Sequence, residues 1–256
     1  MNRINKLFDQ KKNNILSIYF TAGYPQLNDT TQILKSLEKN GVDLVEIGIP
    51  FSDPIADGPT IQQSNHIALQ NGMSIRKLFN QLSDIRNHIQ IPLVLMGYLN
   101  PIMRFGFDAF CQSCQQVGID GIIIPDLPMS EYLNAYKGIA EAYALKFIFL
   151  ITPETSEERI RAIDNNTDGF IYMVSSAAVT GTQQSFDDRL AYFNRINAMH
   201  LKNPRLIGFG VSNKSTLTMV NQYASGAIVG SAFIKTLEQS AQIENAVEEL
   251  MEKLSR

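Results

Sequence analysis

Residues 44–62 read LVEIGIPFSDPIADGPTIQ, an apolar strand that runs directly into a turn-rich acidic loop. The strand contains a single carboxylate, Glu46, and the loop is rich in the proline, glycine and aspartate that favour turns. Short apolar runs of this kind recur along the chain and alternate with patterns of helical spacing. Parallel strands need such helical crossovers, so the stretch predicts one unit of a parallel α/β sheet.

Eight strand candidates follow this pattern. They are ILSIYF (15–20), LVEIGI (44–49), PLVLMGY (92–98), GIIIPD (121–126), KFIFLI (146–151), GFIYMV (169–174), RLIGFG (205–210) and GAIVGS (226–231). Eight strand–helix units in 256 residues predict a (β/α)8 (TIM) barrel, for which roughly 250 residues is typical, with residues 1–256 forming a single domain. An open doubly wound sheet is the alternative, but the dinucleotide fingerprint G-x-G-x-x-G is absent after the first strand.

The composition excludes several classes of function. The formal net charge of -3 gives no general attraction to nucleic acid or to anionic membranes, so an anionic substrate needs a local binding site. The polar N-terminus lacks the apolar core of a signal peptide, and no window approaches the about 18 apolar residues of a membrane span. Cys111 and Cys114 are too few for a disulfide framework. We therefore expect a cytoplasmic protein.

Glu46 is the leading catalytic candidate. Strand side chains alternate between faces, which places Leu44, Glu46 and Gly48 toward the barrel interior. A carboxylate buried there needs a partner or a function, and the catalytic residues of a barrel lie at the carboxyl ends of strands. A purely structural acid, bonded to a neighbouring strand, is the other interpretation.

Asp57 lies in the loop that follows, within ADGP, where ordinary turn chemistry is an alternative explanation. Two carboxylates in unlike environments can divide acid and base work, because burial raises the pKa of one while a loop leaves the other ionised. We expect Glu46 to transfer protons and Asp57 to act as its anionic partner. Asp53 and Pro54 are interpreted as turn or surface residues.

A phosphate site is predicted at the far end of the chain. The seventh and eighth strands end in GFGVS (208–212) and VGSA (229–232). In barrels these loops often bind phosphate together with the N-terminus of a short helix, because small residues expose backbone N–H groups and the helix adds partial positive charge. The contributing residues are Gly210, Gly230 and Ser231, with VTGT (179–182) after the sixth strand as a third loop.

Metal and nucleophile chemistry find no support in the sequence. His66, His88 and His200 fall in helical or helix-end stretches, which argues against a histidine-ligated metal and a Ser–His–Asp nucleophile. The C-x-x-C spacing of Cys111 and Cys114 has no second pair, so both are expected to be buried helix cysteines. No metal is predicted, and the chemistry expected is acid–base in kind without a cofactor.

The segment EIGIPFSDPIADGPTIQ closely resembles the hallmark of the tryptophan synthase α subunit family. Similar segments run along nearly the whole chain: YFTAGYP (19–25), LMGYLNPI (95–102), GIDGIIIPDLP (118–128), VTGT (179–182), GFGVS (208–212) and GAIVGSA (226–232). The resemblance implies a lyase that splits indole-3-glycerol phosphate into indole and glyceraldehyde 3-phosphate. It further implies that Glu46 protonates the indole ring carbon and that Asp57 accepts a hydrogen bond from the indole N–H.

The resemblance also implies the remaining site residues and the partner. Tyr19, Met96, Ile124, Tyr172 and Thr180 would contact the substrate, and backbone groups of Gly181, Gly210, Gly230 and Ser231 would hold the phosphate. The partner would be a β subunit that carries pyridoxal phosphate and receives indole in an α2β2 heterotetramer, with Asp53 and Pro54 near the interface. The family pattern has a glycine before VTG, where this chain has Ala178, and some members have arginine at the position of Ser176. This departure concerns the loop after the sixth strand.

Two other functions are considered beside the lyase. One is another phosphate-binding barrel, such as a sugar-phosphate isomerase or epimerase, which would favour metal-binding histidines or different strand-end acids. The other is a non-catalytic subunit that only activates a β partner, for which Ala178 gives slight motivation.

Overall fold

The computed structural model describes residues 1–175, 186–208 and 210–255. Its described strands are all parallel and form one sheet. They are β1 Ile15–Thr21, β2 Leu44–Gly48, β3 Leu93–Met96, β4 Gly121–Ile123, β5 Lys146–Phe147, β6 Phe149–Ile151, β7 Ile171–Val174, β8 Arg205–Gly208 and β9 Gly226–Val229.

The sheet closes into a barrel through its fifth strand in chain order, which is divided into β5 and β6. The strand order is β5-β4-β3-β2-β1-β9-β8-β7-β6, so β5 and β6 stand at the two ends. These two short strands are separated only by Ile148, whose N–H donates to the carbonyl of Ile122 at 3.0 Å. Because β5 pairs with β4 while β6 pairs with β7, they are one interrupted strand that joins both edges. The predicted (β/α)8 barrel is confirmed, and the open sheet is excluded.

The described helices cover the outside of the barrel, except α1, which precedes β1. They are α1 Arg3–Gln10, α2 Thr30–Lys39, α3 Pro59–Gln70, α4 Ile75–Gln81, α5 Leu99–Phe105, α6 Phe107–Val117, α7 Met129–Glu131, α8 Lys137–Ala142, α9 Glu157–Asn166, α10 Phe186–Ala198, α11 Lys214–Val220, α12 Ser231–Gln239 and α13 Ile243–Ser255. A 3-10 turn occupies Ile85–Asn87, and a π turn at Tyr132–Tyr136 joins α7 to α8. Among the helices described, none has the length and apolar character needed to cross a membrane.

The core consists of two apolar shells that the strand alternation separates. The smaller shell fills the barrel and includes Leu44, while Val45 and Ile47 belong to the larger shell between the sheet and the helices. Side chains of adjacent residues on β2 therefore point to opposite sides of the barrel wall. The predicted inward direction of the Glu46 side chain follows from the same alternation, and it agrees with the hydrogen bond that this side chain accepts from Ser17, which lies between the outer-shell residues Leu16 and Ile18 of β1.

Helix α1 closes the amino-terminal end of the barrel, a role that its polar sequence did not predict. Ile4 and Phe8 project from α1 into the inner apolar shell, and the ring of Phe8 packs 5.9 Å from that of Phe170. Asn2 caps the helix by accepting from the N–H of Ile4. Since this end is filled, the cavity of the barrel opens only toward the carboxyl ends of the strands among the residues described.

The strands end earlier than their apolar patterns do. The eighth candidate, for example, extends to residue 231, while β9 ends at Val229. A strand is defined by its ladder of hydrogen bonds, and small or apolar residues continue past the last rung. Pro125, Gly210 and Ser231, all placed in strand candidates, instead line the mouth of the barrel: the first two lie in loops, and Ser231 begins α12.

The Asp120 carboxylate links α1 and the segment before β3 at the amino-terminal (lower) end of the barrel. Its carboxylate is almost fully buried and accepts from Arg86 Nη2 at 2.6 Å, Arg3 Nη1 at 3.1 Å and the N–H of Leu93 at 3.0 Å. Removal of a buried charge leaves its partners without compensation, whereas an exposed ion pair contributes little.

We therefore expect Asp120→Ala to lower the free energy of unfolding by about 3–5 kcal/mol. Asp168→Ala is the matched control, because the carboxylate of Asp168 pairs with Lys146 but is 67% exposed, and it should lose less than about 1 kcal/mol. Urea unfolding followed by circular dichroism measures both. Similar small losses in the two variants would show that Asp120 does not hold the lower end together.

Candidate active site

Glu46 lies in the middle of β2 with its carboxyl group inside the barrel. It is fully buried, and its neighbours in register are Tyr19 on β1 and Val94 on β3. Oε1 accepts a hydrogen bond from Ser17 Oγ at 3.1 Å, while Oε2 has no partner among the residues that the structure describes. Burial raises the pKa of Glu46 to about 8, and the Ser17 hydrogen bond works against this rise. One oxygen is thus bonded to the neighbouring strand, and the other is left for chemistry.

Asp57 is held at the barrel mouth by the loop between β2 and α3. Its Oδ2 accepts from the hydroxyl of Tyr98 at 3.1 Å, and the same hydroxyl accepts from the N–H of Ala56 at 3.0 Å. Gln62 Nε2 donates to the Asp57 carbonyl at 2.8 Å. Burial raises the pKa of Asp57 to about 6, and the Tyr98 hydrogen bond opposes that rise. Asp57 is therefore a buried loop acid, but it remains largely ionised at neutral pH.

Two tyrosines of the cavity occupy equivalent places, since each extends over a glycine of the next strand. Tyr19 on β1 extends its phenol over Gly48 of β2, where an added Cβ would lie 2.2 Å from the hydroxyl oxygen. Tyr172 on β7 extends over Gly208 of β8, where the corresponding distance is 2.3 Å. Burial raises the pKa of both phenols, so each remains neutral. The space above Gly48, inside the barrel, is thus occupied by the ring of Tyr19.

A cavity of about 760 Å³ opens at the carboxyl ends of the strands. Its lining includes Tyr19, Asp57, Met96 and Tyr172 on the side of the acids, while Glu46 lies below this surface. A volume of this size lies within the range of pockets that bind small molecules. The predicted Tyr19, Met96 and Tyr172 are brought together with Asp57.

Ile124 lies elsewhere. It belongs to the shell between sheet and helices, whereas Ile123 faces the barrel interior and Pro125 lines the cavity. Alternation past the end of β4 turns Ile124 outward, so the expectation that it encloses a substrate is corrected in favour of Pro125. Thr180 and Gly181 lie outside the described residues, as do Ala178 and Ser176.

The loops after β8 and β9, between the strands of the two tyrosines, contain the predicted phosphate-binding residues. Gly210, with φ +78°, and Gly230 lie in the loops after β8 and β9, and Ser231 begins α12. No side chain of the described residues caps α12, whereas α11 is capped by a reciprocal pair of hydrogen bonds between Asn213 and Thr216. The N-terminus of α12 therefore presents uncompensated N–H groups to the cavity. Lys235, one turn further along α12, also lines it.

The remaining candidates lie away from the cavity. His66, His88 and His200 are exposed, and they lie within or just beyond helical segments, as predicted. Cys111 and Cys114 are buried in α6 as free thiols whose pKa is raised by burial. They are helix cysteines, as predicted, and they lie outside the lining of the cavity.

The acidic loop between β2 and α3 differs from the sequence-based prediction at one position, Pro54. Asp53 is exposed, as expected of a turn residue, but Pro54 is buried. The exposed apolar residue is instead Ile55, at 70% of its surface. Proline, which lacks an N–H, can be buried without leaving a donor unsatisfied.

Sequence reasoning missed Ser17 and Tyr98, which contact the two acids. The position of each residue in the strand alternation could have predicted this contact. Ser17 is a hydroxyl residue in an otherwise apolar strand and shares the inward phase of Tyr19. Tyr98 lies two residues beyond Met96, in the inward phase of β3. The strand alternation that located Glu46 could have located both.

The closed barrel and its buried pair of carboxyl groups define a barrel enzyme of the acid–base class. A family model described as "Tryptophan synthase alpha chain" matches residues 5–256. The tryptophan synthase alpha chain of Parabacteroides distasonis is 59% identical over 257 residues, with 100% of both chains covered. The chain belongs to the tryptophan synthase alpha chain family, whose members are lyase subunits of tryptophan biosynthesis that cleave indole-3-glycerol phosphate and pass indole to a β chain.

Solved structures agree with this assignment. Tryptophan synthase subunit alpha from Legionella pneumophila str. Paris superimposes with a TM-score of 0.90 at 34% identity, covering 99% of this chain and 97% of that one. Tryptophan synthase from M. tuberculosis in its aminoacrylate-bound form gives a TM-score of 0.85 at 30% identity, with 100% of each chain covered.

The packing of Tyr19 over Gly48 leads to a prediction. We expect Gly48→Ala to displace the phenol and to lower the rate of indole formation from indole-3-glycerol phosphate by about tenfold, since overpacking of a buried site costs on the order of 1–3 kcal/mol. Gly138→Ala is the control, because a Cβ at this helical glycine meets nothing within 4 Å. Steady-state assays compare the two. Unchanged turnover in the Gly48 variant would mean that the position of Tyr19 does not matter.

Proposed function

We propose that this chain cleaves indole-3-glycerol phosphate with Glu46 as the proton-transfer residue and Asp57 as its anionic partner. The observation that carries the proposal is the placement of two buried carboxyl groups: Asp57 lines the cavity, and Glu46 lies beneath it with Oε2 unpartnered among the described residues. Glu46 has a pKa of about 8 and holds a proton at neutral pH, while Asp57 has a pKa of about 6 and is charged. Environments that separate two pKa values in this way assign acid and base roles.

The reaction requires a proton at the indole carbon that bears the glycerol chain. Glu46 donates it, and the positive charge that develops on the ring is stabilised by Asp57, which accepts from the ring N–H. The hydroxyl of the adjacent carbon then loses its proton to the Glu46 carboxylate and becomes the aldehyde. The electrons of the breaking carbon–carbon bond return to the ring. Glu46 ends protonated as it began, so the step balances without a cofactor.

The indole ring is enclosed by the apolar and aromatic side of the cavity. Tyr19, Met96 and Tyr172 supply this surface. Family resemblance assigns a similar role to Ile124, but the geometry supports Pro125 in its place. Thr180, outside the described residues, is retained as a substrate contact on the resemblance alone.

The phosphate group lies at the loops after β8 and β9. Backbone groups of Gly210, Gly230 and Ser231 bind it, and the uncapped N-terminus of α12 adds partial positive charge. Lys235 contributes a full positive charge in the same cavity lining, which a chain of net charge -3 needs locally. Gly181 is the fourth phosphate residue that the resemblance supplies.

The partner of this chain is a β subunit of tryptophan synthase, in an α2β2 heterotetramer with pyridoxal phosphate in the β chain. Support comes from family membership and from the exposed loop at Asp53 and Ile55, which lies beside the cavity residue Asp57. An exposed isoleucine next to a site entrance is suited to burial against another chain. The free thiols of Cys111 and Cys114 accord with a cytoplasmic location.

The role of Glu46 is tested by Glu46→Gln, which keeps the shape of the side chain but removes its proton chemistry. We expect indole release to fall by about 10²–10⁴-fold, the contribution typical of positioned proton transfer. Glu141→Gln on α8 is the control, since its side chain is 62% exposed and distant from the lining of the cavity. Turnover of the Glu46 variant close to that of the unaltered protein would overturn the proposal.

The pH dependence of kcat/KM follows from the two acids. Activity should rise as pH increases through about 6, because Asp57 becomes charged, and fall above about 8, because Glu46 loses the proton that it must donate. Initial rates measured from about pH 5 to about pH 9.5 cover both limbs of the profile. A profile that keeps rising above pH 8 would contradict the role of Glu46 as an acid.

A further inference from the structure

Ser17 is a buried polar residue inside the barrel that the mechanism above leaves without a task. It lies on β1 with none of its surface exposed, opposite Leu44 in register and two residues before Tyr19. Tyr19 is the residue paired with Glu46, so Ser17 is the diagonal neighbour of the acid on the adjacent strand. Diagonal neighbours of this kind lie within reach of long side chains. A serine and a glutamate are thus brought into contact by the register alone.

The contact is asymmetric at the carboxyl group. Ser17 Oγ donates to Oε1 of Glu46 at 3.1 Å, and Oε2 is buried without a partner among the described residues. A carboxylic acid has one carbonyl oxygen, which accepts, and one hydroxyl oxygen, which carries the proton. A donor that binds Oε1 favours the acid form whose proton sits on Oε2.

We propose that Ser17 is a positioning residue for Glu46: its hydroxyl binds Oε1 and directs the transferable proton to Oε2. The proposal rests on the function proposed above, because it concerns the proton that Glu46 delivers to the substrate. Ser17 touches the acid and not the substrate, so its effect is exerted through Glu46.

The other groups around Glu46 do not replace this contact. Tyr19 and Tyr172 face the acid from β1 and β7 as neutral phenols, and Val94 on β3 is apolar. Asp57 is the acid in the cavity lining, which also contains Arg159, Lys235 and Lys253, and its charge raises the pKa of both tyrosines. The Ser17 hydrogen bond lowers the pKa of Glu46 against the larger effect of burial. Its loss removes stabilisation from the charged form, and the pKa of Glu46 should therefore rise.

The test is a pH titration of the Glu46 carboxyl carbon by NMR in protein labelled with 13C-glutamate, and its signal is assigned from its absence in Glu46→Gln. Ser17→Ala should move the midpoint upward by about one pH unit, as expected for a hydrogen bond to a charged group. Ser17→Val, which also removes the hydroxyl and suits a strand, serves as a second variant. Ser36→Ala is the matched control, because it removes a buried serine hydroxyl on α2 that has no partner among the described residues.

The rate assay provides the second readout. In Ser17→Ala the alkaline limb of kcat/KM should move upward with the NMR midpoint, and kcat should fall by about tenfold, whereas Ser36→Ala should leave both unchanged. A midpoint that moves downward would overturn the positioning role, since it would mean that Glu46 donates to Ser17. A midpoint that stays in place would overturn it as well, since the hydroxyl would then favour neither form of the acid. Either result would leave the proposed role of Glu46 intact. That role is contradicted only if Glu46→Gln retains turnover.

Discussion

The desolvation of one carboxyl group, that of Glu46, is the constraint on which the rest of the site depends. Here the sheet closes through the interrupted fifth strand, and α1 fills the lower end with Ile4 and Phe8. The carboxyl group is left in an apolar interior, and burial holds its proton at neutral pH. Closure of the barrel and the chemistry of the acid are therefore one property of the fold.

The second acid differs in the way it is held. Asp57 comes from a loop, but Tyr98 and the backbone of its own turn fix it beneath the surface. Its pKa rises less than that of Glu46 because it keeps some exposure, whereas Glu46 is completely buried. The two carboxyl groups thus share a cavity without sharing an environment, which keeps one neutral and the other charged. Asp57 is therefore fixed in position by hydrogen bonds although it lies in a loop.

Much of this arrangement was predictable from local pattern. The eight apolar runs predicted the barrel, and alternation along residues 44–49 located Glu46 and separated the two shells of the core. Pattern was less informative where the chain leaves the ladder of hydrogen bonds, because small and apolar residues look alike on either side of a strand end. The outward turn of Ile124 and the burial of Pro54 are of this kind. The plug formed by α1 and the contact of Ser17 with Glu46 depend on partners distant in sequence, which no window of residues contains.

The pairing of each cavity tyrosine with a glycine on the next strand couples positions that are remote in sequence. Tyr19 needs Gly48, and Tyr172 needs Gly208, because each ring occupies the volume that a side chain on the partner would fill. Substitutions at the two members of a pair should therefore be non-additive: a larger residue at 48 becomes tolerable once the ring at 19 is reduced. Any redesign of the cavity for a bulkier or smaller aromatic ligand has to treat each pair as a single unit of volume, divided between two strands.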